Sequence, residues 1–310
     1  MSSKSSKPLH SSGKRQPDER LSTLLAELAR GEGFSASPLA GVKFMRSTIH
    51  VPRSPIVYDP CVVIIAQGRK TGYLSGRRVV YDPNHYLVLA VPMPFECETV
   101  GTPQKPVLGV SIGITPALVA ELVLQMEPEP IGTALPRAMQ AGKLDEGLSD
   151  ATVRLLESFR SAEDARILGP QIVREIAYRV LRGPLGENLR ALAAPQSHFG
   201  RISRVLRRIH ADCAHPFEME ALAREAGMSI STFHTQFKAV TSWSPLQYIK
   251  NVRLNRARLL MVHEGLNAST AAMQVGYESA SQFSREFKRL FGDGPAAVAH
   301  QLRRLLIRFD

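Results

Sequence analysis

Between Val42 and Ile114 the chain alternates short apolar runs with turn-forming clusters. "CVVIIAQ", "RRVVY", "HYLVLAV" and "PVLGVSIGI" are rich in Val, Ile and Tyr, and "GRK", "LSGR", "DPN" and "GTPQK" separate them. That spacing predicts an antiparallel β-sandwich or small barrel. Ahead of it, "ERLSTLLAELARGEG" places Leu21, Leu24, Leu25 and Leu28 on one helical face and stops at Gly31. Behind it the period becomes helical. In "TPALVAELVLQM", Thr115 is placed to cap a helix and Pro116 to begin it. A Pro/Gly-rich patch, "EPEPIGTALP", precedes helical patterns over Leu148 to Arg160 and Ala162 to Leu181. "RGPLGENLRALAAPQSHFG" reads as a junction, and the chain is helical from there on. Residues 1–17 are Ser/Lys-rich without apolar periodicity, which predicts a disordered tail.

The helical third contains the same unit twice. "STFHTQFKAVTSWSP" at Ser231 to Pro245 and "SQFSREFKRLFGDGP" at Ser281 to Pro295 coincide at a Ser, two Phe, a Lys and a Pro. Each is preceded by a short helical stretch and a glycine. In the first copy Leu222 and Ala223 run to Ala226, Gly227 breaks the helix and Ser229 caps the next. In the second, Ala271 and Ala272 precede Gly276, with one extra residue before the first Phe. Glycine at that corner lets two helices cross steeply, so each copy predicts a helix-turn-helix.

Phe233/Phe237 and Phe283/Phe287 stand at i, i+4 and so share the core face of their helices. The opposite faces carry Ser231, His234, Thr235 and Lys238, and Ser281, Gln282, Arg285 and Lys288 with Arg289. These side chains suit base edges and phosphates. Between the copies, "SPLQYIKNVRLNRARLLM" predicts one helix beginning at Pro245. Its eighteen residues span about 27 Å, against the roughly 34 Å between successive major grooves on one DNA face. Lys250, Arg253, Arg256 and Arg258 are expected to contact phosphates or to solvate one side of it. A single pattern of this kind is often an ordinary helical corner; two in register with a basic connector leave little room for a plain bundle.

Charge agrees. The formal net charge is +11, and residues 198–310 carry 16 Lys and Arg against 9 Asp and Glu. The stretch between the tail and that third is near neutral. A neutral body joined to a basic helical third fits a sensing part joined to a polyanion-binding part. No run is long and apolar enough to span a membrane. The N-terminus lacks a signal-peptide core. Three separated cysteines, Cys61, Cys97 and Cys213, give no CxxC pair and point to a reducing, cytoplasmic setting.

On "PLQYIKNVRLNRARLLM" and "VGYESASQFSREFKRLFGDGP" the chain closely resembles the AraC/XylS family of bacterial transcription regulators. "YDPCVVIIAQGRKTGYLSGRRVVYDPNHYLVLAVPMPFECETV" also resembles the N-terminal domain of one subgroup, with "QGRK" its most recognisable part. The resemblance implies an α+β chain: an N-terminal cupin-like antiparallel β-barrel with flanking helices over 18–190, serving effector binding or dimerisation. It further implies an all-α DNA-binding domain over 198–310, two helix-turn-helix units joined by a long helix. The implied partners are double-stranded DNA, an unidentified small-molecule effector, RNA polymerase and a second copy of the chain. Base contacts are expected from Ser231, His234 and Thr235, and from Ser281, Gln282 and Arg285. Ser242 and Trp243 stand where the family often has Gly, and "DGPAAVAH" lacks a frequent Arg; both departures are expected to affect loop stability alone.

The rival reading is a cupin-type metabolite enzyme carrying a helix-turn-helix module. Metal chemistry in a barrel needs several imidazoles and a carboxylate on one centre. Residues 21–197 contain His50 and His85 alone, and no HxH pair occurs. The sequence therefore predicts no catalytic residue, no metal and no cofactor. Cys61 and Cys97 raise a redox sensor, but Glu96 and Glu98 flank Cys97 and would disfavour a thiolate. Buried structural cysteine is the expectation.

Overall fold

The structure is a computed structural model and describes residues 19–127 and 136–307. The expected tail and most of the Pro/Gly-rich patch lie outside the described residues. Helix α1 (Glu19–Leu28) buries Leu21, Leu24 and Leu25. Among the described residues ten strands follow in two sheets. They are β1 (Gly33–Ala36), β2 (Val42–Ser47), β3 (Val51–Tyr58), β4 (Cys61–Gln67), β5 (Arg69–Leu74), β6 (Arg77–Tyr81), β7 (His85–Leu89), β8 (Met93–Val100), β9 (Val107–Gly113) and, after α2 (Pro116–Gln125), β10 (Met139–Lys143). The six-stranded sheet runs β1-β2-β9-β4-β7-β10 and the four-stranded sheet β3-β8-β5-β6, with every pairing antiparallel.

The β-rich, antiparallel reading holds, with two corrections to its details. "GRK" is not a turn: Gly68, at φ +79°, makes the corner, and Arg69 and Lys70 already belong to β5. Two positive-φ residues, Ser75 and Gly76, close the β5–β6 hairpin, as a tight two-residue loop requires. The sequence reading also passes over β10. "MQAGK" has no β-branched residue to announce it, yet it pairs along the whole of β7.

Thr115 caps α2 by accepting from the Leu118 amide, with Pro116 in the first turn. The expected second long helix is broken. After α3 (Glu146–Ser158), α4 (Ala162–Ile167) and α5 (Gly169–Arg182) meet at Leu168. The stretch read as a junction is ordered: α6 (Gly186–Arg190) and a short 3-10 turn over Ala191–Ala193 bury Leu189 and Leu192.

The helical third comprises α7 (His198–Ala211), α8 (Met219–Glu225), α9 (Ile230–Thr241), α10 (Pro245–His263), α11 (Ala268–Gln274), α12 (Ala280–Phe291) and α13 (Pro295–Ile307). Its packing is divided. The core around α7, α8, α9 and the first half of α10 is continuous with the barrel core. The second half of α10 packs with α11, α12 and α13 in a separate core that includes Met261, Val275, Phe283 and Phe287.

Candidate nucleic-acid interface

Each repeated unit is built around its phenylalanine pair. Phe233 and Phe237 are fully buried with ring centroids 5.5 Å apart, and Phe237 meets Tyr248 edge-on at 5.4 Å. Phe283 and Phe287 are also fully buried and 5.4 Å apart, with Tyr277 and Phe291 extending the row. Ser229 caps α9 through the Thr232 amide, and Ser279 caps α12 through the Gln282 amide. With the aromatic faces turned inward, Ser231, His234, Thr235 and Lys238 on α9 are all exposed. So are Ser281, Gln282, Arg285 and Lys288 on α12.

Several of these side chains are already oriented. The Thr235 hydroxyl donates to the Ser231 carbonyl (3.0 Å). Ser281 and Ser279 hydroxyls lie 3.0 Å apart. Gln282 Nε2 reaches Glu286 (3.3 Å), which also takes Lys250 Nζ (2.6 Å) and the Tyr277 hydroxyl (2.8 Å). Burial pushes the Glu286 carboxyl up, but the hydrogen bonds from Lys250, Tyr277 and Gln282 outweigh it and hold the group below its ordinary value. Glu286 thus ties the back of α12 to α10.

The connector corrects the expectation about its cations. Lys250 is spent on Glu286. Arg253 donates to the carbonyls of Cys213, His215 and Gly276 (2.7, 2.9 and 3.2 Å). Arg258 stacks over Phe291 at 4.8 Å, and burial lowers its pKa to about 10. Of the four, Arg256 alone is exposed. Arg253 braces one unit against the other, Lys250 ties the connector to α12, and Arg258 packs within the second unit.

The two departures from the family pattern at the end of α9 are not passive loop residues. Ser242 takes the left-handed conformation, φ +65°, that a glycine would take there. Trp243 Nε1 then donates to the Pro94 carbonyl of β8 (3.2 Å). Three residues into α10, the buried Tyr248 hydroxyl donates to the Pro92 carbonyl (2.5 Å) and lies 2.8 Å from His210 Nε2. Its one proton goes to Pro92, so His210 must donate from Nε2. Burial lowers the His210 pKa to about 4 and keeps the ring neutral at pH 7. The first unit is therefore clasped to the turn between β7 and β8 and to the start of β8. Nothing in the local sequence announces this, because the acceptors are backbone carbonyls some 150 residues away.

In the barrel, His50 and His85 each meet a carboxylate, Glu98 at 3.1 Å and Asp82 at 2.8 Å. Among the described residues no group of three His, Cys, Asp or Glu could hold a metal ion, and no helix is long and apolar enough to cross a membrane. Cys61 and Cys97 are buried, and burial pushes the Cys61 thiol up to about 12. The argument from Glu96 and Glu98 needs correction. Strand alternation turns both carboxylates to the outer face, where Arg53 meets Glu96 and His50 meets Glu98. Cys97 faces inward, 3.3 Å from the Tyr81 hydroxyl.

A barrel packed against paired helix-turn-helix units defines a class, a two-part DNA-binding regulator. Comparison with known proteins agrees. Residues 38–188 match the AraC-type transcriptional regulator N-terminus and residues 222–301 a helix-turn-helix domain. The chain belongs to the AraC/XylS family of transcription regulators. It is 37% identical over 100 residues to the HTH-type transcriptional regulator AlkR of Acinetobacter baylyi, covering 32% of this chain and 33% of that one. It is 24% identical over 156 residues to the HTH-type transcriptional activator RhaS of Escherichia fergusonii, covering 50% of this chain and 56% of that one. The chain thus spans between a third and just over half of these curated relatives. Its fold is similar to that of ToxT from Vibrio cholerae, with a TM-score of 0.57 at 12% identity over 87% of this chain and 99% of that one.

Proposed function

We propose that this chain is a sequence-specific regulator that reads two adjacent major-groove segments with α9 and α12, and that its barrel, within residues 18–190, binds a small-molecule effector. One observation carries the first half: two capped helices in the same register present exposed polar faces from the two ends of one rigid connector. At 19 residues, α10 is about 28 Å long, close to the groove repeat. Ser231, His234, Thr235, Ser281, Gln282 and Arg285 face base edges, and a threonine methyl suits a thymine methyl. Lys238 and Lys288 face phosphates.

The reading favours a regulator over a barrel enzyme, since His50 and His85 are each committed to a carboxylate. RNA polymerase and a second copy of the chain are further partners, and the cytoplasm is the setting for such a protein. A ToxT structure solved with an unsaturated fatty acid bound, similar in fold, supports the effector half. So does the clasp from Trp243 and Tyr248 to the barrel. An effector that alters the β7–β8 turn at Pro92 or the start of β8 at Pro94 would shift the population of helix pairs free to dock on DNA.

The test is selection of bound duplexes from random DNA at near-physiological salt, followed by sequencing. A site with two blocks about one helical turn apart is the expected result; enrichment of nothing above background would refute the two-helix reader. On the selected site, Arg285→Ala is expected to cost roughly 1–3 kcal/mol and to relax one base position. Lys288→Ala should weaken all sequences alike and flatten the salt slope by about one unit. Titrations at several salt concentrations separate the two. Affinity that ignores every metabolite tried would count against the effector half.

A further inference from the structure

The polar stripe of α9 ends against the barrel. Ser242 stands about three helical turns beyond Ser231, so it closes the stripe that carries Ser231, Thr235 and Lys238. Its amide donates to the Lys238 carbonyl one turn back (2.8 Å), and its own carbonyl is approached by the Ser75 hydroxyl at 3.5 Å. Ser75 and Gly76 are the tip of the β5–β6 hairpin, and both line the cleft that Ser242 and Trp243 share with the barrel. The bond from Trp243 to Pro94 holds this end of the helix to β8, and β8 pairs with β5. The hairpin tip is therefore fixed beside the last turn of the first recognition helix.

That tip is rigid, open and positively charged. Positive φ at Ser75 (+48°) and Gly76 (+76°) makes a tight two-residue loop, which has little freedom to lose on binding. A Cβ on Gly76 would meet nothing within 4 Å, so that side of the tip is uncovered. Arg77 and Arg78 follow at once, opposite Leu74 and Tyr73, and both are exposed. Among the described residues neither makes a hydrogen bond or an ion pair. The acids of this face are engaged elsewhere: Glu96 with Arg53, and Glu98 with His50 at 3.1 Å and with the Tyr73 hydroxyl at 3.0 Å. The bonds from His50 and Tyr73, with a weaker pull from Arg78, hold the Glu98 carboxyl below its ordinary value. Other exposed arginines of the barrel do have partners, as Arg154, Arg160 and Arg174 show with Glu175, Glu27 and Glu121. Two adjacent cations without partners contribute little to folding. What they offer is charge to a polyanion.

We propose that the barrel itself touches DNA: Arg77 and Arg78, at the β5–β6 hairpin tip, contact backbone phosphates bordering the groove segment under α9. Lys238 lies one helical turn from Ser242, about 5.4 Å, so the phosphates it faces are within an arginine's reach of the tip. The two guanidinium groups extend the row of phosphate contacts that Lys238 begins. Guanidinium–phosphate bonds are strong but carry no sequence information. The tip adds affinity and fixes the barrel on the duplex without reading bases. This rests on the reading of α9 as a groove-reading helix, and it holds for the clasped arrangement of barrel and first unit.

The test compares the full chain with the double variant Arg77→Gln/Arg78→Gln, on the selected site and on a random-sequence duplex, at several salt concentrations. The double variant is expected to bind both duplexes more weakly, with a slope of log affinity against log salt shallower by about two units. Ethylation of single phosphates in the selected site locates the contact. Ethylation bordering the α9 block should weaken wild type and no longer matter to the double variant, while interference at the α12 block persists. The same charge removed at Lys143 and Arg166, exposed on β10 and α4, should leave the slope as in wild type. Should the double variant misfold, the single variants, each about one unit shallower, decide. An unchanged slope, an equal loss in the Lys143 and Arg166 control, or an ethylation pattern shared with wild type would overturn the contact. If selection yields no site, the base-reading role of α9 fails on its own, and the slope on the random duplex keeps or sinks the tip contact.

Discussion

Phe287→Ala is expected to unfold the second helix-turn-helix unit while leaving the barrel and the first unit folded. Phe287 is fully buried in a small core that is separate from the rest, and several of its other members are alanines, Ala257, Ala271, Ala272 and Ala299. A cavity left by a phenylalanine there has few large neighbours to fill it. Such truncations cost about 3–5 kcal/mol, enough to populate the open state of a subunit this size. The paired substitution Phe237→Ala removes a ring of the same kind from a core continuous with the barrel, so its cost should be spread through the whole domain. Hydrogen exchange is the measurement. In Phe287→Ala, amides from Ala268 to Phe291 should lose protection while those of β4, β7 and β9 keep theirs. DNA affinity should fall toward that of a single unit. Loss of protection in both regions together would mean that the two cores melt as one and that the second unit is not independently mobile.

That division was not legible in the chain, although most of what it divides was. The repeated unit could be read because its chemistry is local: an i, i+4 phenylalanine pair, a glycine corner and a capping serine each act within a few residues. The eight side chains expected to face DNA follow from the same periodicity, and all are exposed in the structure. What failed to show was everything decided across the fold. Lys250, Arg253 and Arg258 look like a solvated basic stripe until Glu286, three carbonyls and the Phe291 ring are brought to them. Trp243 looks like a blemish in a family pattern until Pro94 arrives beneath it. Strand β10 lacked residues of high strand propensity, and its place is fixed by β7 alone. Lys70 looked like part of a turn. Its burial depends on Gly68 making the corner one residue earlier and so setting which face of β5 points inward.

The same asymmetry between the copies yields the second large effect. Gly227 and Gly276 occupy equivalent corners, and both have positive φ, +61° and +82°. A side chain in that conformation costs roughly 1–2 kcal/mol at either position. The surroundings then separate them. A Cβ at Gly227 would meet Arg201 Nη1 at 3.2 Å, the far end of a side chain that can move. A Cβ at Gly276 would lie 2.5 Å from the Ala214 carbonyl oxygen and 3.0 Å from the Ala214 Cα. Those are backbone atoms of the segment that Arg253 pins through Cys213, His215 and Gly276 itself. They can yield only by displacing that brace, which adds an overpacking cost of about 1–3 kcal/mol. Gly276→Ala should therefore destabilise the chain by about 2–5 kcal/mol and Gly227→Ala by about 1–2 kcal/mol. Urea unfolding of the two variants measures the difference. On DNA, Gly276→Ala should also lose contacts made by α12, because the corner sets where that helix begins. Equal costs at the two glycines would mean that the Ala214 segment moves freely, and that Arg253 does not brace one unit against the other.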